Sequence, residues 1–190
     1  MKQDGLLNIH PLSPELLPLA ERFSSGNTYL DGFLQDGDYS LNTNIGKTYV
    51  FLSEENSEII GYYNLGMSSV DRIEQVGESS RYIRMGGAVN INYFALDEKY
   101  HKQVFDILPS GDKIYLSDIL IIECLERIEI IAQEYIGATF VTLNSTKEGY
   151  HLYKRNGFEE LEMDMRFSME DSDYHCTQLY RWINDEYIYV

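Results

Sequence analysis

Lys147-Glu148-Gly149-Tyr150-His151-Leu152-Tyr153-Lys154-Arg155-Asn156-Gly157-Phe158 is the stretch whose reading decides the fold. It reads as a short helix stopped by a glycine. Ser145 stands where a hydroxyl can cap the first free amides, Leu152 lies on the apolar side, and Gly157 fits the left-handed position past the end. Just before it, Thr139-Phe140-Val141-Thr142-Leu143 is a short apolar run that reads as a buried strand. The block is therefore a strand, a capped helix carrying Tyr153, and an Asn-Gly-Phe exit. By itself this is also what an ordinary helix ending in an Asn-Gly turn looks like.

Working outward, 190 residues with 44% hydrophobic content predict a single domain, 1–190, with a substantial core. No apolar run is long enough to span a membrane, and Met1-Lys2-Gln3-Asp4-Gly5 lacks the layout of a secretory signal, so a cytoplasmic protein is expected. The formal charge of −16 argues against broad nucleic-acid contact, which draws on Lys and Arg to neutralise phosphates. It favours a neutral or cationic substrate. Two cysteines, Cys124 and Cys176, make neither a disulfide framework nor a metal cluster, and no metal site is expected. Cys124 reads as a core residue. Cys176 follows His175, but neighbours on a strand face opposite ways.

Leu6 to Pro11 reads as a first strand. Ser13-Pro14-Glu15 opens a helix to about Arg22, and Asn27 to about Leu41 has helical spacing weakened by Gly32 and Gly37. Lys47 to Ser53 and Glu58 to Ser69 form a hairpin about Glu54-Glu55-Asn56-Ser57. Polar Arg72 to Gly87 reads as a loop or short hairpin insertion, and Ala88 to Leu96 as a central strand. Asp97 to Gly111 looks irregular. Tyr115 to Ile136 is the longest helix, ended by Gly137. Leu161 to Met169 and Cys176 to Trp182 alternate as closing strands. The order predicts an α/β protein with a mixed sheet covered on both faces.

That order, together with the Lys147–Phe158 block, resembles the GNAT N-acetyltransferase fold over nearly the whole chain. A second likeness lies in Phe23-Ser24-Ser25-Gly26-Asn27-Thr28-Tyr29-Leu30-Asp31-Gly32-Phe33-Leu34, Lys47-Thr48-Tyr49-Val50 and Ile60-Gly61-Tyr62-Tyr63-Asn64-Leu65. These are similar to the toxin-type acetyltransferases of bacterial toxin–antitoxin pairs, which act on the amino group of aminoacyl-tRNA.

The resemblance implies acetyl-CoA as co-substrate, with its pantetheine arm against the backbone of Phe94, Ala95 and Leu96 and beside Asn144. The same apolar residues serve as core of a central strand, and Asn144 competes with Ser145 as a helix cap. The family's glycine-rich phosphate loop is missing. In its place Tyr100-His101-Lys102-Gln103 is followed by an inserted Val104 to Asp112, and the long helix is expected to open at Lys113-Ile114. Phosphates would then meet Lys102, Lys113 and the amide of Ile114, although both lysines also read as solvated surface. Tyr153 matches the position of the general acid that protonates the departing thiolate, and its ordinary pKa near ~10 suits that task. Asp97, Glu98 and His101 are base candidates by position, although each reads more readily as a surface polar group.

The expected function is acetyl transfer from acetyl-CoA to an amine by direct attack. The charge points to a small cationic amine or a protein amine, the toxin likeness to aminoacyl-tRNA. The alternative is a catalytically degenerate GNAT-like domain acting through protein contacts, which the lost glycines favour. The closing strands and the aromatic tail Asp185-Glu186-Tyr187-Ile188-Tyr189-Val190 read as a homodimer surface, and the tail reads equally as a segment folded back on its own domain.

Overall fold

The computed structural model describes residues 7–167 and 176–184. The readings placed on Leu6, Met169, the His175–Cys176 pair and the tail from Asp185 lie outside or across that boundary. The chain divides into two compact units, Met1–Gly66 with Asn92–Leu125, and Met67–Ile91 with Glu126–Val190.

The first unit begins with β1 (Ile9–Pro11), a 3-10 turn over Pro14–Leu16 and α1 (Leu17–Ala20). Pro14 takes the first helical position as expected, but Ser13 makes no side-chain cap bond. Asn27 caps α2 (Thr28–Gln35), its Oδ1 accepting from the Tyr29 N–H at 3.0 Å and the Leu30 N–H at 3.4 Å. The single helix expected to Leu41 breaks at Asp36, which is extended (φ −86°, ψ 101°) and caps a separate α3 (Gly37–Ser40). Gly32 and Gly37 weaken the helix on either side of that break.

β2 (Lys47–Leu52) pairs antiparallel with β1 and with β3 (Ile59–Val76). β4 (Ser79–Leu96) follows a turn at Gly77, whose φ is 63°. β3 and β4 are each 18 residues long. Arg72 to Gly87, expected as a loop or short insertion, is thus the far end of two long strands. Tyr62 is fully buried at the centre of this unit's core. Its ring meets Phe23 edge-on at 5.4 Å and its hydroxyl donates to the Leu30 carbonyl at 2.7 Å, so both the apolar body and the polar tip are satisfied.

A polar network is buried beside it. The Thr48 hydroxyl donates to the Ser40 carbonyl at 2.6 Å and accepts from Asn64 Nδ2 at 2.9 Å. Asn92 Nδ2 donates to Asn64 Oδ1 at 2.7 Å and to the Ile45 carbonyl at 2.9 Å.

After β4 comes a 3-10 turn (Glu98–Tyr100) and then a two-stranded hairpin, β5 (Val104–Ile107) with β6 (Lys113–Tyr115). Gly111, at φ 88°, makes its turn. The segment expected to be irregular is therefore ordered. This corrects one site expectation: Lys113 and Ile114 stand on β6, and the long helix α4 (Leu116–Ile131) opens only afterwards. α4 runs into a π-helical turn (Ala132–Ile136) ended by Gly137 at φ 57°, the left-handed stop the sequence predicts.

In the second unit β7 (Phe140–Ser145) pairs parallel with β4, from Ala88↔Phe140 to Ile91↔Leu143. α5 (Tyr150–Arg155) and β8 (Glu159–Glu160) follow. The closing strand expected from Leu161 is instead the short β9 (Met165–Phe167), which pairs with β3, and β10 (Thr177–Trp182) fills the second expected strand and pairs with β7 and β8. Val70, Ala88, Phe140, Met165, Phe167 and Tyr180 form this unit's core. Because β3 and β4 run through both units, the strand succession is β1-β2-β3-β4-β7-β10-β8, with β9 on β3. One parallel step among antiparallel ones makes the sheet mixed, as predicted. No helix among the described residues is long and apolar enough to cross a membrane.

Candidate functional site

The β7–α5 block lies in the second unit. Tyr153 is buried, at 8% exposure, and packs edge-to-face on Phe158 with centroids 5.6 Å apart. His151 is exposed, two residues away, and meets Tyr150 edge-on. The Tyr150 hydroxyl donates to Glu160 Oε1 at 2.5 Å, which raises its pKa and ties it to the surface. Gly157 has φ 83° and ends α5 as predicted. The cap does not follow the sequence. Ser145 is buried and donates to the Thr146 carbonyl at 2.8 Å. Gly149 stands at the N-cap with no side-chain cap bond, and Thr146 Oγ1 accepts its N–H at 3.3 Å.

Asn144 caps nothing either. It sits at the end of β7, just beyond the last parallel pair, and its side-chain oxygen is buried without a hydrogen-bond partner. A buried orphan acceptor costs about 1–3 kcal/mol, so such atoms call for an explanation.

The first unit holds the other expected residues. Phe94 is half-buried, and Ala95 and Leu96 are buried at the end of β4. The Leu96 carbonyl is met by His101 Nε2 at 3.0 Å. Asp97 is 2% exposed, and its carboxylate accepts from the Ser24 N–H at 3.3 Å and the Lys99 N–H at 3.1 Å. Asp97 and His101 are thus both engaged in local structure, which argues against either as base.

The start of α4 is closed by the chain itself. Asp118, 8% exposed, accepts the Tyr115 N–H at 2.9 Å, and the Gln103 carbonyl accepts the Leu116 N–H at 3.0 Å. A carboxylate reaching back across a helix start is half of a capping box. It also places negative charge where a phosphate would otherwise sit. These residues do not fit a pyrophosphate in the manner of a glycine-rich loop. Lys102 (φ 63°), two residues ahead of β5, and Lys113, the first residue of β6, are both exposed.

Sequence reasoning missed Asp118 and Gly149. Asp118 was legible as an acid in the first turn of a helix; Gly149 carried no signal, because its backbone needs no glycine. Among the described residues no group of three or more His, Cys, Asp or Glu could hold a metal ion.

No protein-family model and no curated protein matches the chain. Solved structures do. One described as a bacterial toxin superposes with TM-score 0.65 at 19% identity, over 94% of this chain and 92% of that one. AtaT matches in two forms. AtaTR bound with AcCoA gives TM-score 0.63 at 16% identity over 93% and 94%; AtaT complexed with acetyl-methionyl-tRNAfMet gives 0.60 at 16% over 85% and 93%. Tetrahymena GCN5 gives 0.53 at 12% over 94% and 97%. The mixed sheet with its helices and these likenesses give the chain the GNAT-type acyltransferase fold.

Proposed function

We propose that the chain is an acetyl-CoA-dependent N-acetyltransferase. The observation that carries the reading is the buried, unpartnered Oδ1 of Asn144, at the strand end where the fold resemblance puts the pantetheine arm. An amide N–H of that arm would satisfy it. The backbone of Phe94, Ala95 and Leu96 is proposed to bind acetyl-CoA. Lys102, ahead of the hairpin, and Lys113 with the Ile114 amide, on β6, are proposed to meet the phosphates in place of the helix start. Acetyl-CoA supplies the activated acetyl group as co-substrate. The acceptor nitrogen bonds to the acetyl carbon, the carbon–sulfur bond breaks, and the Tyr153 hydroxyl gives its proton to the departing sulfur while the amine proton leaves to solvent. Likeness to AtaT in its acetyl-methionyl-tRNAfMet complex supports an aminoacyl-tRNA amine as acceptor, whereas the charge of −16 favours a small cationic amine.

The closed start of α4 favours a second reading, a GNAT-shaped domain that binds no coenzyme and works through protein contacts. Calorimetric titration with acetyl-CoA separates the two, followed by an amine screen that includes methionyl-tRNA. Micromolar binding with acetyl transfer is expected. Absence of binding at millimolar acetyl-CoA sinks the enzyme reading.

A further inference from the structure

We infer that Gly149 is a positioning residue for Tyr153: its missing side chain is the space against which the tyrosine ring is set. The inference deepens the role proposed for Tyr153 and rests on it. Gly149 has φ −78° and ψ −19°, ordinary right-handed geometry that any residue adopts, so conformational freedom is not why a glycine stands there. Space is. A Cβ at this position would lie 3.1 Å from Tyr153 Cε2, with Ser145 Oγ at 3.5 Å and Thr146 Oγ1 at 3.6 Å behind it. The ring also packs edge-on against Phe158, which is 1% exposed and whose N–H is held by the Tyr153 carbonyl at 3.1 Å. An added methyl therefore pushes the ring by a few tenths of an ångström. The contact falls on the ε carbon, next to the carbon that bears the hydroxyl, so the displacement is passed to the proton-donating oxygen. Gly149 touches neither acceptor nor acetyl group in this account; it acts through Tyr153.

The test compares wild type, Gly149→Ala, Tyr153→Phe and the double variant. Each is measured for kcat and KM at varied acetyl-CoA, for thermal unfolding, and by NMR of ¹³C-labelled tyrosine rings, with the Tyr153 signal assigned by its loss in Tyr153→Phe. The expected result for Gly149→Ala is a moved Tyr153 signal and a Tm within about 3 °C of wild type. Its kcat should fall roughly three- to tenfold, given that a misplacement near 1 Å costs about 10²-fold, with KM within about twofold. In the Tyr153→Phe background the same change should lower kcat by less than about twofold, because the hydroxyl it misplaces is already gone. An unmoved Tyr153 signal, or an equal loss of kcat in both backgrounds, overturns the inference. Should wild type bind acetyl-CoA but transfer no acetyl group to any amine, the proposed function fails. The NMR signal then decides the placement by itself: moved, Gly149 sets the ring; unmoved, it does not.

Discussion

Replacing Asn144 by leucine should separate stability from coenzyme affinity in opposite directions. The side-chain oxygen of Asn144 is buried and unpartnered, so the protein without substrate carries a desolvated acceptor that costs about 1–3 kcal/mol. Leucine is close in volume and removes that cost, while forgoing any bond made by the amide nitrogen, worth about 1 kcal/mol. The net change in unfolding free energy is expected between about zero and 2 kcal/mol of stabilisation. With coenzyme the sign reverses. The wild-type oxygen gains a donor only in the complex, so its loss weakens binding by about 1–2 kcal/mol, or roughly five- to thirtyfold in Kd. Urea unfolding followed by fluorescence gives the first quantity and calorimetric titration with acetyl-CoA the second. A variant destabilised by more than about 1 kcal/mol with unchanged Kd would mean that Asn144 serves the fold alone, and the main support for the proposed function would be gone.

Two further outcomes test the packing and electrostatics. At Gly61 an added Cβ would lie 2.9 Å from the Ala95 carbonyl oxygen and 2.8 Å from Leu120 Cδ2. Gly61→Ala should therefore cost about 1–3 kcal/mol, a Tm drop of roughly 3–10 °C, and a drop below 1 °C in a thermal melt would contradict the close approach of β3 and α4. Glu58 is held below the ordinary carboxylate range by the Tyr100 hydroxyl and the Lys99 ammonium, which lies 3.2 Å away. Its folded pKa is depressed, so its contribution is present above the unfolded value of about 4.3 and lost as pH falls through the folded value. The same bond pushes the Tyr100 hydroxyl up to about 12, and that contribution is complete below about pH 10 and lost as pH rises to 12. Glu58 is partly exposed, so Glu58→Gln should cost only a few tenths of a kcal/mol at pH 7. The difference from wild type should shrink below pH ~4; a difference that stays constant from pH 7 to pH 3 would show that the carboxylate charge plays no part.

The strand and helix order was legible because buried elements write periodic patterns. β7 is a run of apolar and β-branched residues, and Gly137 and Gly157 mark helix ends at positive φ. The far ends of β3 and β4 were not legible. Glu74, Gln75, Ser79, Ser80 and Arg81 lie on exposed strand, where neither face must be apolar, so no alternation records them. The β5–β6 hairpin was hidden for the same reason, since Val104, Phe105 and Ile107 all remain exposed and fit no burial pattern. Of the candidate site residues, Tyr153 and Asn144 were named through the family resemblance of the strand–helix block and not through any periodicity. The closure of α4 depends on Asp118 accepting the Tyr115 N–H and on Gln103 accepting the Leu116 N–H across an inserted hairpin, and the second contact is not encoded by helical spacing.

The chain of bonds from Ser40 through Thr48 and Asn64 to Asn92 and Ile45 has a consequence for how β2, β3 and β4 find one another. Hydrophobic contact tolerates misalignment; these amides do not. Sliding β3 by one residue would turn Asn64 to the opposite face and break its bonds to Thr48 and to Asn92, each worth about 0.5–1.5 kcal/mol. The three strands thus carry a combination lock, in which a single alignment opens to the native sheet and near-miss alignments are rejected by thirst for hydrogen bonds rather than by shape.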